Sequence, residues 1–425
     1  MMTNTYRPFI GGVPRSIDTF ARQYRKMGHQ VKVVAPEFDG QTEEADVMRV
    51  PALRNFNGTE FSVQLPIPFV LSEFADSFQP DVIHSHHPFL LGTTALRLAV
   101  RHEVPLLYTF HTFYEHYLHY LPGGETEPMR RFVATLVAGY ANLCDHVIAP
   151  SRFVAEELRR RGVIKPIDVI PTGVDVESIG HGDGSAFRKK WGIPEEAYVV
   201  GFVSRLAPEK NLAFLSDAVL ELLGARENAW FLIAGKGPLE EGLKARFEHS
   251  GLAGRIRMFG NLEGGELHDL YNALDVFAFA SHTETQGMVV AEAMAAGVPV
   301  VAVHASGVSD IVRDGYNGRL LREENSGEFS RALSWCGALE PGARLELKSH
   351  ARKTARVFSD EACARRAIAL YQMARRESKA LHEHESAWDE FLNIVSAEWN
   401  LLANLGVAAG KAWADSEPEE QVPSP

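Results

Sequence analysis

Short, mostly apolar runs rich in valine, isoleucine and phenylalanine recur along most of this chain, with helical stretches between them. They stand at 30–36, 81–85, 105–110, 146–149 and 167–170, and again at 198–203, 230–234, 256–260, 276–280 and 298–302. Runs this short, without polar alternation, suit strands covered on both faces, and strands that alternate with helices build a parallel, doubly wound sheet. The pattern breaks once, at the polar, turn-rich Pro171-Thr-Gly-Val-Asp175 and Gly180-His-Gly-Asp-Gly-Ser185. A chain of 425 residues exceeds what one core usually supports. The expectation is an α/β protein of two Rossmann-like domains, 1–178 and 179–359, facing an interdomain cleft.

Composition narrows the functional classes. The chain is 45% hydrophobic and 23% charged, as in globular proteins, and its formal net charge of −12 opposes nucleic-acid binding. The same charge weakly opposes binding to anionic membranes, although a local basic patch overrides a total. Cys144, Cys336 and Cys363 are odd in number and far apart, so neither a disulfide framework nor a zinc site is expected, which fits a reducing cytoplasm. No uninterrupted apolar run reaches the ~18 residues of a membrane span, and the opening does not read as a signal peptide. Membrane contact, if any, is expected to be peripheral.

The stretch Ser281-His-Thr-Glu-Thr-Gln-Gly-Met-Val-Val-Ala-Glu-Ala-Met-Ala-Ala-Gly297 carries the most chemistry. It follows an apolar strand, and from Gly287 onward it reads as a buried helix closed by Gly297 and Pro299. Glu292 is then a carboxylate inside an apolar helix, which needs either a fixed protein partner or the hydroxyls of a ligand. Glu284 sits in the loop before the helix start, where unpaired N–H groups and the positive end of the dipole favour a phosphate. An ordinary pair of helix-end and salt-bridge acids is the competing reading. Arg205 and Lys210 lie in the loop after the run 198–203, where a guanidinium fork and an ammonium can both reach a diphosphate or simply be solvated.

The first residues, Met-Met-Thr-Asn-Thr-Tyr-Arg-Pro-Phe-Ile-Gly-Gly-Val-Pro-Arg-Ser16, look like the end of a short first strand, a loop and a helix start. Gly11 and Gly12 there allow close backbone approach, or are a simple turn. His84, His86 and His87 end one strand without the carboxylates or cysteines of a metal site, so no metal is expected. His111 ends another and opens an aromatic loop, His111-Thr-Phe-Tyr-Glu-His-Tyr-Leu-His-Tyr-Leu-Pro122; it reads as a functional residue or a hydrogen-bonded rim histidine. Residues 360–376 are expected as a helix returning to the first domain and 377–413 as a helical extension. Its stripe of Trp388, Phe391, Leu392, Val395, Trp399 and Leu402 either covers the body or lies at an interface. The acidic, proline-containing 414–425 is expected to be disordered.

Taken in order, these motifs resemble one family from about residue 2 to 375. The marks are Gly11-Gly12-Val13, the Gly28-His29 step, Phe110-His111-Thr112, Arg205 with Lys210, Gly235-Lys-Gly-Pro238, and Glu284 with Glu292 seven residues between. The chain resembles the retaining nucleotide-sugar glycosyltransferases of the GT-B fold, the large fourth family.

The resemblance implies that the Gly12 backbone and the Arg205 and Lys210 side chains hold a donor diphosphate. Glu292 would take the ribose hydroxyls, Glu284 the sugar hydroxyls, and Gly287, Met288 and Val289 would offer amides. His111 would lie against the sugar, with a catalytic role shared with Glu284. No cofactor or metal is implied, since the nucleotide sugar is a substrate and no Asp-x-Asp motif ends a strand. Thr283-Glu-Thr-Gln-Gly287, where many relatives carry phenylalanine before the glycine, and the aromatic loop are similar to bacterial enzymes that glucosylate diacylglycerol.

The implied activity is transfer of a hexose, glucose from UDP-glucose, to a lipid acceptor. The site would be cytoplasmic, with peripheral contact at the inner face of the membrane left open. Tyr114, Tyr117, Leu118, Tyr120 and Leu121 would line the acceptor path or dip into the interface. Arg130, Arg131 and Arg159 to Arg161 would supply positive charge or form solvated faces. GDP-mannose, a soluble sugar or polyol acceptor, and a non-catalytic nucleotide-sugar-binding relative remain the alternatives.

Overall fold

Met1–Thr3 occupies the centre of the first sheet in the computed structural model, which describes residues 1–9, 11–53, 63–64, 68–115, 126–282 and 284–382, together with 396, 404 and 407. Met2 bridges in parallel to Val34 on one side and Ser85 on the other. Main-chain bonds hold it there, from Met2 N–H to the His84 carbonyl at 2.8 Å and from His86 N–H to the Met2 carbonyl at 2.9 Å. The short first strand is therefore a single bridging residue flanked by complete strands.

On one flank lie β1 (Val33–Pro36) and β2 (Val47–Val50), and a small antiparallel ribbon follows, β3 (Ala52–Leu53) with β4 (Val63–Gln64). On the other flank are β5 (Ile83–Ser85), β6 (Leu106–Thr109), β7 (His146–Ala149) and β8 (Ile167–Val169), all parallel. Every residue of β1, β5, β6 and β7 is buried, as expected for strands covered on both faces. The helix Gly12–Lys26 buries Ile17, Phe20, Ala21 and Tyr24, the residues whose spacing predicts its inner face.

The second sheet runs β11-β10-β9-β12-β13-β14, again all parallel. Its strands are β9 (Tyr198–Val203), β10 (Ala229–Ala234), β11 (Ile256–Met258), β12 (Val276–Phe279), β13 (Val300–Val303) and β14 (Gly318–Leu321). β9 and β10 are buried at all six positions. Counted from its first strand, the order is 3-2-1-4-5-6, so the winding reverses between β9 and β12. In open α/β sheets ligands collect at that reversal, outside the carboxyl ends of the strands. The first sheet reverses likewise, between the Met2 segment and β5.

Two units result, residues 1–170 with 365–425, and residues 171–364. The first boundary falls at Pro171, where the turn-rich stretch begins, and the linker is bound into the second unit. Val174 N–H donates to the Phe358 carbonyl at 2.9 Å, and Asp360 N–H donates to the Val174 carbonyl at 3.0 Å. Gly173 passes so close to this strand that a Cβ would stand 2.1 Å from the Asp360 Cα. The helix Asp360–His382 then supplies the first unit with Tyr371, whose hydroxyl bonds His84 Nδ1 at 2.6 Å, and Glu377, which bonds His146 Nε2 at 3.0 Å.

Among the described residues no helix is long and apolar enough to cross a membrane. The apolar stripe expected at 388–402 and the tail 414–425 lie outside the described residues. Of the extension, Asn404 donates its side-chain N–H to the Leu136 carbonyl at 3.1 Å.

Candidate functional site

In the second unit, the loops after β9 and β12 meet at the winding reversal, and hydrogen bonds stitch them together. The Glu209 carbonyl accepts from Ser281 Oγ at 3.1 Å and from His282 N–H at 3.0 Å. Lys210 Nζ donates to Glu284 Oε2 at 3.0 Å and lies 5.9 Å above the Phe279 ring, so both charges are fixed and mostly buried. Arg205 stays more than half exposed and pairs with Glu209 Oε1 at 2.6 Å. Burial alone would raise the Glu209 carboxyl, but the Arg205 hydrogen bond, a backbone bond and the Arg205 and Lys210 charges together hold it below the usual range.

Gly287 opens the helix Met288–Ala295 in the left-handed region, at φ 78°, a conformation that favours glycine. No side chain caps this start. Val290 and Ala291 N–H return to the Gly287 carbonyl at 3.0 and 3.4 Å, whereas those of Met288 and Val289 have no partner among the described residues. Two adjacent unused amides at the positive end of a helix form an anion seat.

Glu292 sits in this helix with 1% of its surface exposed, and its Oε2 accepts from the Tyr271 hydroxyl at 2.7 Å. Of the two arrangements open to a buried carboxylate, a fixed protein partner is present.

The segment before Gly287 is held from two sides. The buried amide of Gln286 forms a two-point bridge to Thr172: Thr172 N–H donates to Oε1 at 2.8 Å, and Nε2 donates to the Thr172 carbonyl at 2.5 Å. Opposite, Gly307 lies against the backbone at 284–286, where a Cβ would stand 2.8 Å from the Gln286 nitrogen and the Glu284 carbonyl. Ser306 Oγ accepts from Glu284 N–H at 3.4 Å.

In the first unit, Gly12 begins its helix behind an extended Gly11 with no side-chain cap, and a Cβ on Gly12 would meet nothing within 4 Å. His111 follows β6 and is hydrogen-bonded through Nε2 to His86 Nδ1 at 2.9 Å. Burial lowers His111 to about 4, and lowers His84 and His86 well below the usual histidine value. The three strand-end histidines do not converge on one point. His84 bonds Thr109 and Tyr371, His86 bonds His111, and His87 Nδ1 accepts from Asn4 N–H at 3.1 Å. Among the described residues no group of three histidines, cysteines or carboxylates is placed to hold a metal ion.

Two residues of the expected acceptor side are held by protein contacts. The Tyr114 hydroxyl is buried and its ring meets Phe89 edge-on, at 5.3 Å between centroids. Arg161 is not a free surface charge, since it pairs with Glu115 at 2.5 Å and Glu157 at 2.8 Å and lies 4.8 Å from the Phe113 ring. Arg131 and Arg160 pair with Glu127 and Glu157 on their own helices, as on a solvated face. Tyr117, Leu118, Tyr120 and Leu121 lie outside the described residues.

Sequence reasoning thus locates Arg205, Lys210, Glu284, Gly287, Met288, Val289 and Glu292 in one unit at one switch point, and Gly12 and His111 in the other. It misses Tyr271, the Gln286 bridge, the Ser306-Gly307 support and the contact of His86 with His111. Only the last had a visible signal, the unusual His84-Ser-His-His87 run.

Comparison with known proteins accounts for both units. Residues 10–178 match the family model Glycosyltransferase Family 4, and residues 183–356 match Glycosyl transferases group 1. A D-inositol 3-phosphate glycosyltransferase of Actinosynnema mirum is 33% identical over 69% of this chain and 73% of its own length. This chain is a family 4 glycosyltransferase.

The enzyme has the GT-B fold, and among solved structures Anabaena HepE in complex with UDP is similar to it, with a TM-score of 0.69 and 20% identity over 88% of this chain and 98% of that one. Two other relatives, each 29% identical, differ in their named substrates. A GDP-mannose-dependent alpha-mannosyltransferase of Corynebacterium glutamicum aligns over 76% of both chains. An alpha-monoglucosyldiacylglycerol synthase of Streptococcus pneumoniae aligns over 76% of this chain and 75% of its own.

Proposed function

We propose that this family 4 glycosyltransferase moves glucose from UDP-glucose to a lipid acceptor such as diacylglycerol, with retention at the anomeric carbon and without a metal ion. The observation that carries the donor half is the joining of the loops after β9 and β12 at the winding reversal, through the Lys210–Glu284 pair, just ahead of a helix whose Met288 and Val289 amides are uncapped. A diphosphate seated there would have its charge met by two cationic side chains and a helix start. When the bond from sugar to diphosphate breaks, its electron pair stays on the leaving oxygen. Fixed donors aimed at that oxygen lower the barrier. The acceptor hydroxyl forms the new bond and gives its proton to the departing phosphate, releasing the nucleoside diphosphate. Glu284 would hold sugar hydroxyls, Glu292 the ribose, and His111 the sugar from the first unit, with the Gly12 backbone beside the diphosphate.

The lipid acceptor is supported by similarity to the Streptococcus enzyme named for glucosyldiacylglycerol. It brings with it a second proposal, peripheral contact at the cytoplasmic face of a membrane. A polyol phosphate acceptor is the second reading, favoured by the higher identity of the Actinosynnema relative, and a GDP-mannose donor is favoured by the Corynebacterium one.

The test is incubation of the purified protein with UDP-glucose, UDP-galactose or GDP-mannose, each with diacylglycerol vesicles or inositol phosphate. Glucosylated lipid from UDP-glucose is the expected product. Product on the soluble acceptor alone overturns the lipid reading, and no turnover of any sugar nucleotide overturns the donor reading.

A further inference from the structure

His86 has no part in the function set out above, yet it is the side chain that holds His111. It follows β5 directly, is 1% exposed, and its ring lies between those of His84 at 4.2 Å and His111 at 5.2 Å. Its backbone is tied to Met2, and His84 behind it is clamped by the Thr109 hydroxyl at 2.7 Å and the Tyr371 hydroxyl at 2.6 Å. The stack therefore has little freedom, and His86 Nδ1 meets His111 Nε2 at 2.9 Å. With Nε2 occupied, His111 has only Nδ1 left for a ligand, and Nδ1 has no partner among the described residues.

For packing alone a phenylalanine would serve at position 86 with less cost. The His86 Nε2 atom is buried and unpartnered among the described residues. Leaving such an atom buried without a hydrogen bond is unfavourable. The same atom also indicates which way the shared proton points. If His111 donated from Nε2, His86 would carry its own proton on Nε2, as a buried N–H with nothing to accept it. If His86 donates from Nδ1, its Nε2 is a bare lone pair, the less costly orphan.

We infer that His86 is a positioning residue for glycosyl transfer: its Nδ1–H donates to His111 Nε2, fixing the His111 ring plane and placing the His111 proton on Nδ1, facing the sugar. His111 then acts as a neutral donor to a sugar oxygen and not as an imidazolium. Burial, which lowers both rings, keeps the pair neutral near pH 7. The inference rests on the proposal that His111 meets the sugar.

The experiment joins kinetics with 15N NMR of histidine-labelled full-length enzyme. His86→Asn places an amide N–H where Nδ1 stands, whereas His86→Leu fills the space without a donor. Expected are an Nδ1–H tautomer for His111 in the wild type and in His86→Asn, and loss of that preference in His86→Leu. His86→Leu should lose kcat on the order of 10²-fold, with the donor KM changed less than about twofold. His86→Asn should recover most of the rate. An Nε2–H tautomer in the wild type, an undiminished kcat in His86→Leu, or an Asn variant as slow as the Leu variant overturns the inference. If His86→Leu does not fold, the wild-type tautomer and the His86→Asn rate decide it. His111→Ala separates the two levels: if it turns over at the full rate, the placement of His111 at the sugar is wrong, whatever His86 does.

Discussion

Lys210 Nζ and Glu284 Oε2 stand 3.0 Å apart, with 14% and 18% of their side chains exposed. The two groups assigned to the diphosphate and to the sugar thus neutralise each other across the mouth of the proposed donor seat. A donor that brings both a diphosphate and sugar hydroxyls can replace each partner by another. Lys210→Ala removes a cation from the leaving group and leaves Glu284 unpaired. The expected loss in kcat is about 10²–10³-fold, comparable to removal of one oxyanion donor. Steady-state kinetics with the donor varied will show it, and an unchanged kcat excludes Lys210 from leaving-group stabilisation.

The Tyr271–Glu292 bond sets up a separation of effects. Glu292→Ala should weaken nucleoside diphosphate binding by about tenfold or more, which is ~1.4 kcal/mol, while the acceptor KM stays near wild type. Tyr271→Phe leaves the carboxylate in place but removes a buried donor, and should lower stability by ~1–3 kcal/mol. Calorimetric titration and chemical denaturation read the two. Equal nucleotide affinity in Glu292→Ala would release this residue from the donor site.

Gln286→Ala deletes both buried bonds to Thr172, a loss of ~1–3 kcal/mol. Faster amide exchange is expected at 171–174 and 284–287 together, because one side chain holds both segments. Exchange that accelerates in one segment alone would show that the bridge does not couple them.

Acid should destabilise the enzyme through its buried histidines. His84, His86, His87 and His111 are all lowered from the usual 6.5 by burial, His111 to about 4 and His87 to about 3. Below pH 6.5 the unfolded chain binds protons that the folded chain refuses. The contribution of these four groups is therefore level above that pH and falls as pH drops toward the folded values. Each such group removes up to ~1.4 kcal/mol per pH unit in that window. Urea midpoints should be lower at pH 5 than at pH 7, and His87→Asn should shallow the slope. Equal midpoints at the two pH values would contradict this reading of the cluster.

The sheets were legible because their strands are buried on both faces. Unbroken apolar runs such as Tyr198–Val203 and His146–Ala149 match the observed strands residue for residue. β2 and β14 were not legible. Each carries an arginine, Arg49 or Arg319, within a four-residue strand at a sheet edge, so neither reads as an apolar run or as a clean alternation. In the second unit, positions named from motif spacing fall at the winding reversal, because the fold forces loops after β9 and β12 together. Tyr271, Gln286 and Gly307 act through partners distant in sequence, from Glu292 21 residues away to Thr172 114 residues away, and no local pattern encodes such pairs. Tyr114 is a further case, since its edge-on contact with Phe89, 25 residues earlier in the chain, has no local signal.

Amide hydrogen exchange across residues 284–292, with and without UDP, tests the donor seat most directly. If the diphosphate settles on the Met288 and Val289 amides, exchange there slows on adding UDP, and Lys210→Ala reduces the protection. Unaltered exchange at saturating UDP, or protection confined to other segments, would contradict the placement of the donor at this helix start.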